Sequence, residues 1–241
     1  MAQAMSVLLR WILWLMPPGI FCLTYVLAVR AGPASAGAVG IFVTLDSALL
    51  VGFTLLLYPL VMAVGRVPMR RFARAVAPAQ TVAASTRSSL ASLPALVRGA
   101  ERQLGLPAAV TGLVLPLSVA TFKMNRTISS TAKLLFLAHV YGVPLAPVQV
   151  ATFVATVLLL SFSTPGIPSV GSVQTLPVYL SFGIPVEGVL ILGAVDAIPD
   201  VFKTVLNVTA DMGATALVAR MAGIKAAPAG PADAGAAGAD G

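Results

Sequence analysis

Charged residues are scarce in this chain, and their scarcity excludes most protein classes. Only 10% of the 241 residues are Asp, Glu, Lys or Arg, whereas a soluble domain carries about 25%. Apolar residues make up 58%, and the mean hydropathy is +0.96. So few charges cannot cover a water-soluble globule of this size. The composition therefore predicts an integral membrane protein. Since no segment alternates apolar and polar residues, helices are favoured over a barrel of strands.

Cysteine and histidine are almost absent as well. The single cysteine, Cys22, allows no intrachain disulfide and lacks the companions of a cysteine-rich metal site. The single histidine, His139, lies in an apolar run, where a packing role is more common than metal binding. The sequence therefore predicts no resident cofactor.

Basic residues exceed acidic ones, 15 to 8, and give a net charge of +7. This excess does not indicate nucleic-acid binding, because the basic residues lie mostly between apolar runs, where they orient membrane proteins. None occurs between Arg30 and Arg66 or between Lys133 and Lys203. The positive-inside rule then places both termini and residues 66–106 in the cytoplasm. Lipid binding by the basic stretch is an alternative to this orienting role, which already explains it.

Apolar runs divide the chain into spans and half-spans. Residues 6–29 and about 36–64 are each long enough to cross ~30 Å of hydrocarbon, and they form the first predicted unit, 1–65. The second unit, 66–225, is predicted to be a transport core. Its parts are a hairpin at 77–97, a broken helix at 107–142, a hairpin at 146–183 and a helix at 186–221. The tail, 226–241, contains only Ala, Gly, Pro and Asp, so we expect it to be disordered.

The two hairpins are predicted to enter the membrane from opposite sides. The Ser/Thr-rich segment 77–97 is too polar for an ordinary span, and 146–183 consists of two half-length apolar pieces around 163–169. Irregular backbone at membrane depth is tolerated only inside protein or beside a water-filled cavity. Two opposed tips therefore imply a central site.

The last predicted helix carries a stripe of polar residues on one face. Charged groups within a span are unfavourable by several kcal/mol unless paired or hydrated, so we interpret the stripe as the lining of a substrate and ion pathway. The alternative is a structural ion pair between Asp200 and Lys203. Pro199 is expected to kink this helix. The stripe, whose members recur every three or four residues, consists of Asp196, Asp200, Lys203, Asn207 and Asp211.

A polar interruption at 123–127 divides the apolar segment 107–142. Neither 107–122 nor 128–142 is long enough to cross the membrane alone, so we predict one helix with an unwound break. Such a break exposes carbonyls that bind cations and a helix N-terminus that favours anions.

In this order, the motifs resemble the dicarboxylate/amino acid:cation symporter family, which includes the glutamate transporters. The resemblance extends from Leu8 to Arg220. It implies an all-α, multi-pass membrane bundle with two opposed re-entrant hairpins and a broken helix, lacking the family's first four helices. The matching segments are 8–21, 85–94, 124–127, 163–171 and 196–211.

The function implied by the resemblance is elevator-type symport in the inner membrane of a bacterium, by a homotrimer. The substrate would be a small organic anion, either a dicarboxylate or an acidic amino acid, and the coupling ion Na⁺ or H⁺. Asp200 stands where the family binds a substrate amino group, and Lys203 where members with acidic substrates have an arginine. The implied substrate-binding residues are Arg87, Ser88, Ser89, Thr127, Asp200, Lys203 and Asn207. The implied cation-binding residues are Asp211, Asn207, Met124 and Asn125, with Asp211 as the sodium-site carboxylate.

The break departs from the family pattern, in which Lys123, Asn125 and Arg126 are Asn, Asp and Gly. Loss of an acidic ligand and gain of two cations weaken a sodium site by repulsion. We therefore hypothesise that Lys123 or Arg126 fills a cation position, which makes transport proton-coupled or less dependent on sodium.

The missing helices leave several interpretations open. Either the start codon is placed too far downstream, or the chain is one part of a split transporter that needs a separate N-terminal half, or it is a degenerate member. A degenerate member would act as a structural or regulatory membrane subunit. An intramembrane enzyme is disfavoured, because nothing brings Ser88, His139 and Asp211 together as a triad.

Overall fold

The computed structural model describes residues 37–162 and 170–224, and these residues form helices without strands. The predicted span 6–29, the hairpin tip 163–169 and the tail 226–241 lie outside the described residues. The helices are α1 (Gly37–Gly65), α2 (Met69–Thr86), α3 (Ser89–Arg102), α4 (Ala108–Thr121), α5 (Met124–Tyr141), α6 (Pro147–Ser161), α7 (Val170–Ser181), α8 (Val186–Ala194) and α9 (Ala197–Met221).

Two apolar cores organise the described helices. The first core joins α2, α3, α4 and α9 around buried side chains such as Phe72, Leu115 and Met212. The second joins α5, α6, α7 and α8 around Phe153 and Tyr179. Helix α1 contributes to both cores, since Phe42 lies in the second and Val61 in the first. A third, smaller cluster joins the middle of α1 to α9.

Helices α2 and α3 form a helical hairpin in the region of the predicted first hairpin, with its tip at Arg87 and Ser88. Arg87 adopts a left-handed conformation (φ 52°) and ends α2, and the side chain of Ser88 caps α3 by accepting a hydrogen bond from the Ala91 amide at 3.2 Å. The hairpin is longer than predicted, because α2 begins at Met69 and includes part of the basic stretch. Arginines at the start of α2 thus extend an amphipathic helix.

The arms of this hairpin approach closely at Gly99. A Cβ built on Gly99 would lie 2.0 Å from the carbonyl oxygen of Ala75 on α2, and this oxygen belongs to the backbone and cannot rotate away. Only glycine fits there. Because Gly99 and Ala75 are equally distant from the tip, the contact also sets the register of the hairpin.

Gly99→Ala is therefore expected to destabilise the protein by about 3 kcal/mol, at the upper end of the range for overpacked cores. The measurement is unfolding in mixed detergent micelles, titrated with SDS and followed by circular dichroism. Gly112→Ala on α4 is the matched control, because nothing lies within 4 Å of the added methyl group. It should be neutral or slightly stabilising. Equal effects of the two substitutions would contradict the close approach.

The predicted break in the apolar segment 107–142 is shorter than the sequence suggested. Helix α4 ends at Thr121 and α5 begins at Met124, so only Phe122 and Lys123 are non-helical. The prediction that 123–127 is unwound was wrong for 124–127, which form the first turn of α5. An Asn or Thr in a first helical turn has its amide free for other partners, so the polar residues mark a helix start.

The segment 186–221 is also divided, although it was predicted as one helix. Helix α8 ends at Ala194, and α9 begins at Ala197. The prediction of a kink at Pro199 was wrong, because Pro199 occupies the first turn of α9. Its missing amide proton has no intrahelical acceptor there, so proline fits without bending the helix.

Two helical segments within the described residues are long and apolar enough to cross a membrane. They are Gly37–Gly65 and Ala108–Tyr141, which runs through the two-residue break. Helix α1 exposes large apolar side chains along its length, including Ile41 and Leu55, each 63% exposed. Such a surface suits lipid rather than water.

Candidate functional site

Helix α9 carries the predicted polar stripe into the interior of the protein. Lys203, Asn207 and Asp211 are 7%, 5% and 0% exposed, and Asp200 is partly buried. Asp196 does not lie on the helix as predicted but at the α8–α9 junction, where it precedes the first residue of α9. The stripe thus faces protein rather than lipid, as a pathway lining requires.

Asp211 is the last residue of the stripe and lies against the C-terminal end of α4. Its Oδ1 accepts a hydrogen bond from the Ser118 hydroxyl, while its Oδ2 has no hydrogen-bond partner among the described residues. The ammonium of Lys123 lies close enough to interact electrostatically with this carboxylate and donates to the Val119 carbonyl at 2.6 Å. One oxygen of Asp211 is therefore available to a ligand beside a tethered cation.

The first turn of α5 meets the middle of the stripe. The backbone amide of Asn125 donates to Oδ1 of Asn207 at 3.1 Å. The hydroxyl of Thr127 is buried and has no partner among the described side chains and backbone. Met124 packs with α1 and α9 in the third apolar cluster. Three of the residues implied by the resemblance, Met124, Asn125 and Thr127, thus lie on this turn, and a fourth, Asn207, accepts a hydrogen bond from it.

The tip of the first hairpin approaches the N-terminal end of the stripe, near Asp200. The guanidinium of Arg87, which is exposed, interacts electrostatically with the carboxylate of Asp200. The amide of Ser88 donates to the Thr86 hydroxyl at 3.3 Å, and Ser89 is 9% exposed. The described structure therefore brings the tip and α9 together, while the second tip lies outside it.

Lys203 has different partners from those expected. The alternative paired it with Asp200, with which it interacts electrostatically, but its closer partners are Asp196, in an ion pair, and Oδ2 of Asp46 on α1, at 3.8 Å. Spacing along one helix suggested the nearest carboxylate in sequence, whereas a long, flexible lysine reaches across elements. Asp200 instead accepts, through its backbone carbonyl, a hydrogen bond from Thr204.

Arg126, in the first turn of α5, connects this helix to α7. Its Nη1 donates to Oε1 of Gln174 on α7 at 3.3 Å. The cation therefore bridges α5 and α7, away from Asp211. Of the two cations considered for a cation position, it is Lys123 that lies beside Asp211.

Four polar residues near the stripe were given no role by sequence reasoning. Asp46 is fully buried and accepts a hydrogen bond from Ser129 at 2.7 Å, and Lys133 is 5% exposed and interacts electrostatically with Asp46 and Asp196. Ser118 bonds Asp211. A charge inside an apolar run is the one signal that singles out Asp46 and Lys133 in the sequence, whereas nothing distinguishes the two serines.

Comparison with known proteins decides the family. The model of the sodium:dicarboxylate symporter family matches residues 1–221 of the chain. The chain belongs to this family. The resemblance inferred from the motifs is confirmed, and so is the prediction of an all-helical membrane protein.

Individual relatives of this family member come from animals and bacteria. An excitatory amino acid transporter of Caenorhabditis elegans is 33% identical over 89% of this chain and 43% of its own length. The proton/sodium-glutamate symport protein of Bacillus subtilis is 26% identical over 92% and 52%. The proton/glutamate-aspartate symporter of Escherichia coli is 28% identical over 85% and 46%.

The chain spans about half the length of the curated relatives it matches. The family and these relatives are transporters and not enzymes, in agreement with the sequence analysis.

Proposed function

We propose that this protein is a secondary active symporter that moves a small organic anion, a dicarboxylate or an acidic amino acid, together with a cation. One observation carries the proposal. The stripe of α9 is buried against the first hairpin tip and the α4–α5 break, and it retains unpartnered ligand atoms. Within the described part of the chain, these are Oδ2 of Asp211 on the stripe and the hydroxyl of Thr127 on α5, while Asp46 and Ser47 on α1 carry two more. Unsatisfied buried polar atoms are rare in native proteins and suit an absent ligand.

The residue roles follow from charge and position. Asp200 offers a carboxylate to a substrate amino group, and Lys203 offers an ammonium to a substrate carboxylate. Arg87, Ser88 and Ser89 supply donors at the hairpin tip, while Thr127 and Asn207 contribute hydroxyl and amide groups. The relatives named for glutamate or aspartate symport support an acidic substrate.

The cation site is assigned to Asp211, with Asn207, Met124 and Asn125 around it. Lys123 adds a fixed positive charge at this site. In our proposal this ammonium takes the place of a sodium ion, so transport is proton-coupled or only weakly dependent on sodium.

The wider arrangement follows the family resemblance. We propose two units, 1–65 and 66–225, the second moving as an elevator-type transport core within a homotrimer surrounded by lipid. The hairpins are re-entrant, the location is a bacterial inner membrane, and both termini are cytoplasmic. A separately encoded N-terminal half is the partner expected if the chain is one part of a split transporter.

The second candidate function is that of a non-transporting family member, a structural or regulatory membrane subunit. The observation that favours it is the presence of two cations, Lys123 in the break and Arg126 in the first turn of α5. Substrate uptake separates the two candidates.

The test is uptake of radiolabelled L-aspartate and succinate by proteoliposomes containing the full chain. Asp200→Asn is expected to lower the initial rate of L-aspartate uptake about tenfold, because the substrate ammonium loses its charged partner. Glu187→Gln is the matched control, since it removes an exposed carboxylate from α8, outside the site. No uptake by the unsubstituted chain, or equal rates for both variants, would overturn the proposal.

A further inference from the structure

Asp46 is a buried carboxylate in the first half of α1 that the proposed function does not use. It is the only charged residue between Gly37 and Gly65 and is 0% exposed. A carboxylate at membrane depth is unfavourable unless cations or donors compensate its charge. Its surroundings therefore indicate what it does.

Side chains from two other helices compensate this charge: Ser129 and Lys133 on α5, and Lys203 on α9. Oδ2 of Asp46 accepts a hydrogen bond from the Ser129 hydroxyl at 2.7 Å and lies 3.8 Å from Nζ of Lys203. Oδ1 has no hydrogen-bond partner within the described part of the chain. Oδ2 is thus hydrogen-bonded to α5, and this same atom faces the Lys203 ammonium on α9.

The Lys203 ammonium accordingly lies between two carboxylates. Asp196 forms the closer ion pair from the α8–α9 junction, and Asp46 approaches from α1. Asp200 also interacts electrostatically with this ammonium, so a carboxylate brought by a substrate would meet a cation whose charge is already balanced. Because like charges repel strongly in an interior of low dielectric constant, Asp46 and the substrate carboxylate compete for Lys203.

We propose that Asp46 is a positioning residue whose negative charge partly neutralises the Lys203 ammonium from α1 and so weakens binding of the substrate's distal carboxylate. The inference rests on the proposed function, since it takes Lys203 as the subsite for that carboxylate. Asp46 then sets the preference between an acidic substrate and its neutral analogue. It does so through charge, without touching the substrate.

The charge of Asp46 can be removed without removing its packing. In Asp46→Asn the amide oxygen still accepts from Ser129, and Lys203 keeps its closer partner, Asp196. The ammonium therefore stays in place with less competition. A purely structural role predicts instead that all ligands respond equally.

The experiment measures thermal stabilisation of the full chain in detergent by L-aspartate and by L-asparagine, which differ only in the distal carboxylate. Asp46→Asn is expected to lower the L-aspartate concentration for half-maximal stabilisation by about tenfold, with no change for L-asparagine. Asp46→Glu, which restores the charge, should return the value towards that of the unsubstituted protein. Ser47→Ala is the matched control, because it changes the adjacent residue of α1 without altering charge.

Three results would overturn the inference: an unchanged or higher L-aspartate concentration in Asp46→Asn, a parallel change for both ligands, or no stabilisation by L-aspartate in either protein. Uptake by proteoliposomes separates this inference from the proposed function. If the ligand difference is found without uptake, the symport proposal fails and the role of Asp46 stands.

Discussion

Lys203→Met is expected to destabilise the protein by about 3–5 kcal/mol, the usual effect of removing one partner from a buried ion pair. The substitution leaves Asp46 and Asp196 near each other without the ammonium between them. Methionine matches the length of the lysine stem, so little packing is lost. The destabilisation would come from uncompensated charge rather than from a cavity.

SDS titration in mixed micelles, followed by circular dichroism, measures this loss. Arg220→Met is the matched control on the same helix, because Arg220 is exposed, and it should change the free energy of unfolding by less than about 1 kcal/mol. Adding Asp46→Asn to Lys203→Met should recover part of the loss, since one of the unpaired carboxylates is then neutral. Additive effects of the two substitutions would show that Asp46 and Lys203 do not interact.

Helical content and the first hairpin could be predicted because both depend on local sequence. Long apolar runs fix helices in a membrane protein, and the Thr/Arg/Ser cluster at 86–89 contains the residue types that end one helix and cap the next. The tip at Arg87 and Ser88 follows from that cluster. The length of the arms does not, because α2 continues through arginines that look like a loop by charge alone.

The two helix breaks were assigned less well, for a related reason. Polar residues at 124–127 suggested unwinding, yet they begin α5 with backbone amides that find partners such as Asn207. In the last segment the apolar pattern continues across the junction at Val195 and Asp196, so hydropathy gives no sign of a break. Helix starts and unwound segments share the same residue types, and only tertiary contacts separate them.

Partners across helices were beyond the sequence altogether. The stripe of α9 can be recognised in the sequence because its polar residues recur every three or four positions. In the structure Lys203, Asn207 and Asp211 are buried. The carboxylate facing Lys203 from α1 is 157 residues earlier in the chain, and no pattern links the two. The candidate site was therefore predicted on α9 itself and missed on the helices that surround it.

Lys123 gives the other large expected effect, on the response to sodium. Its ammonium interacts with Asp211 at the proposed cation site, where a sodium ion would also bind. Two unit charges about 4–8 Å apart repel by roughly 2–4 kcal/mol at an effective dielectric constant of ~20. Removing the ammonium should therefore raise the affinity for sodium by about thirtyfold to a thousandfold. An asparagine at this position also adds an amide oxygen that can bind sodium.

Lys123→Asn is accordingly expected to make a nearly sodium-independent protein sodium-dependent. The measurement is the NaCl concentration that gives half-maximal thermal stabilisation in the presence of L-aspartate, with choline chloride holding ionic strength constant. Arg98→Asn is the matched control, because it removes an exposed cation from α3, outside the site. If Lys123→Asn and the unsubstituted protein respond to sodium alike, the ammonium does not occupy the cation position. Strict sodium dependence of the unsubstituted protein would also contradict the proposal, because the Lys123 ammonium and a sodium ion would then occupy the cation site at the same time.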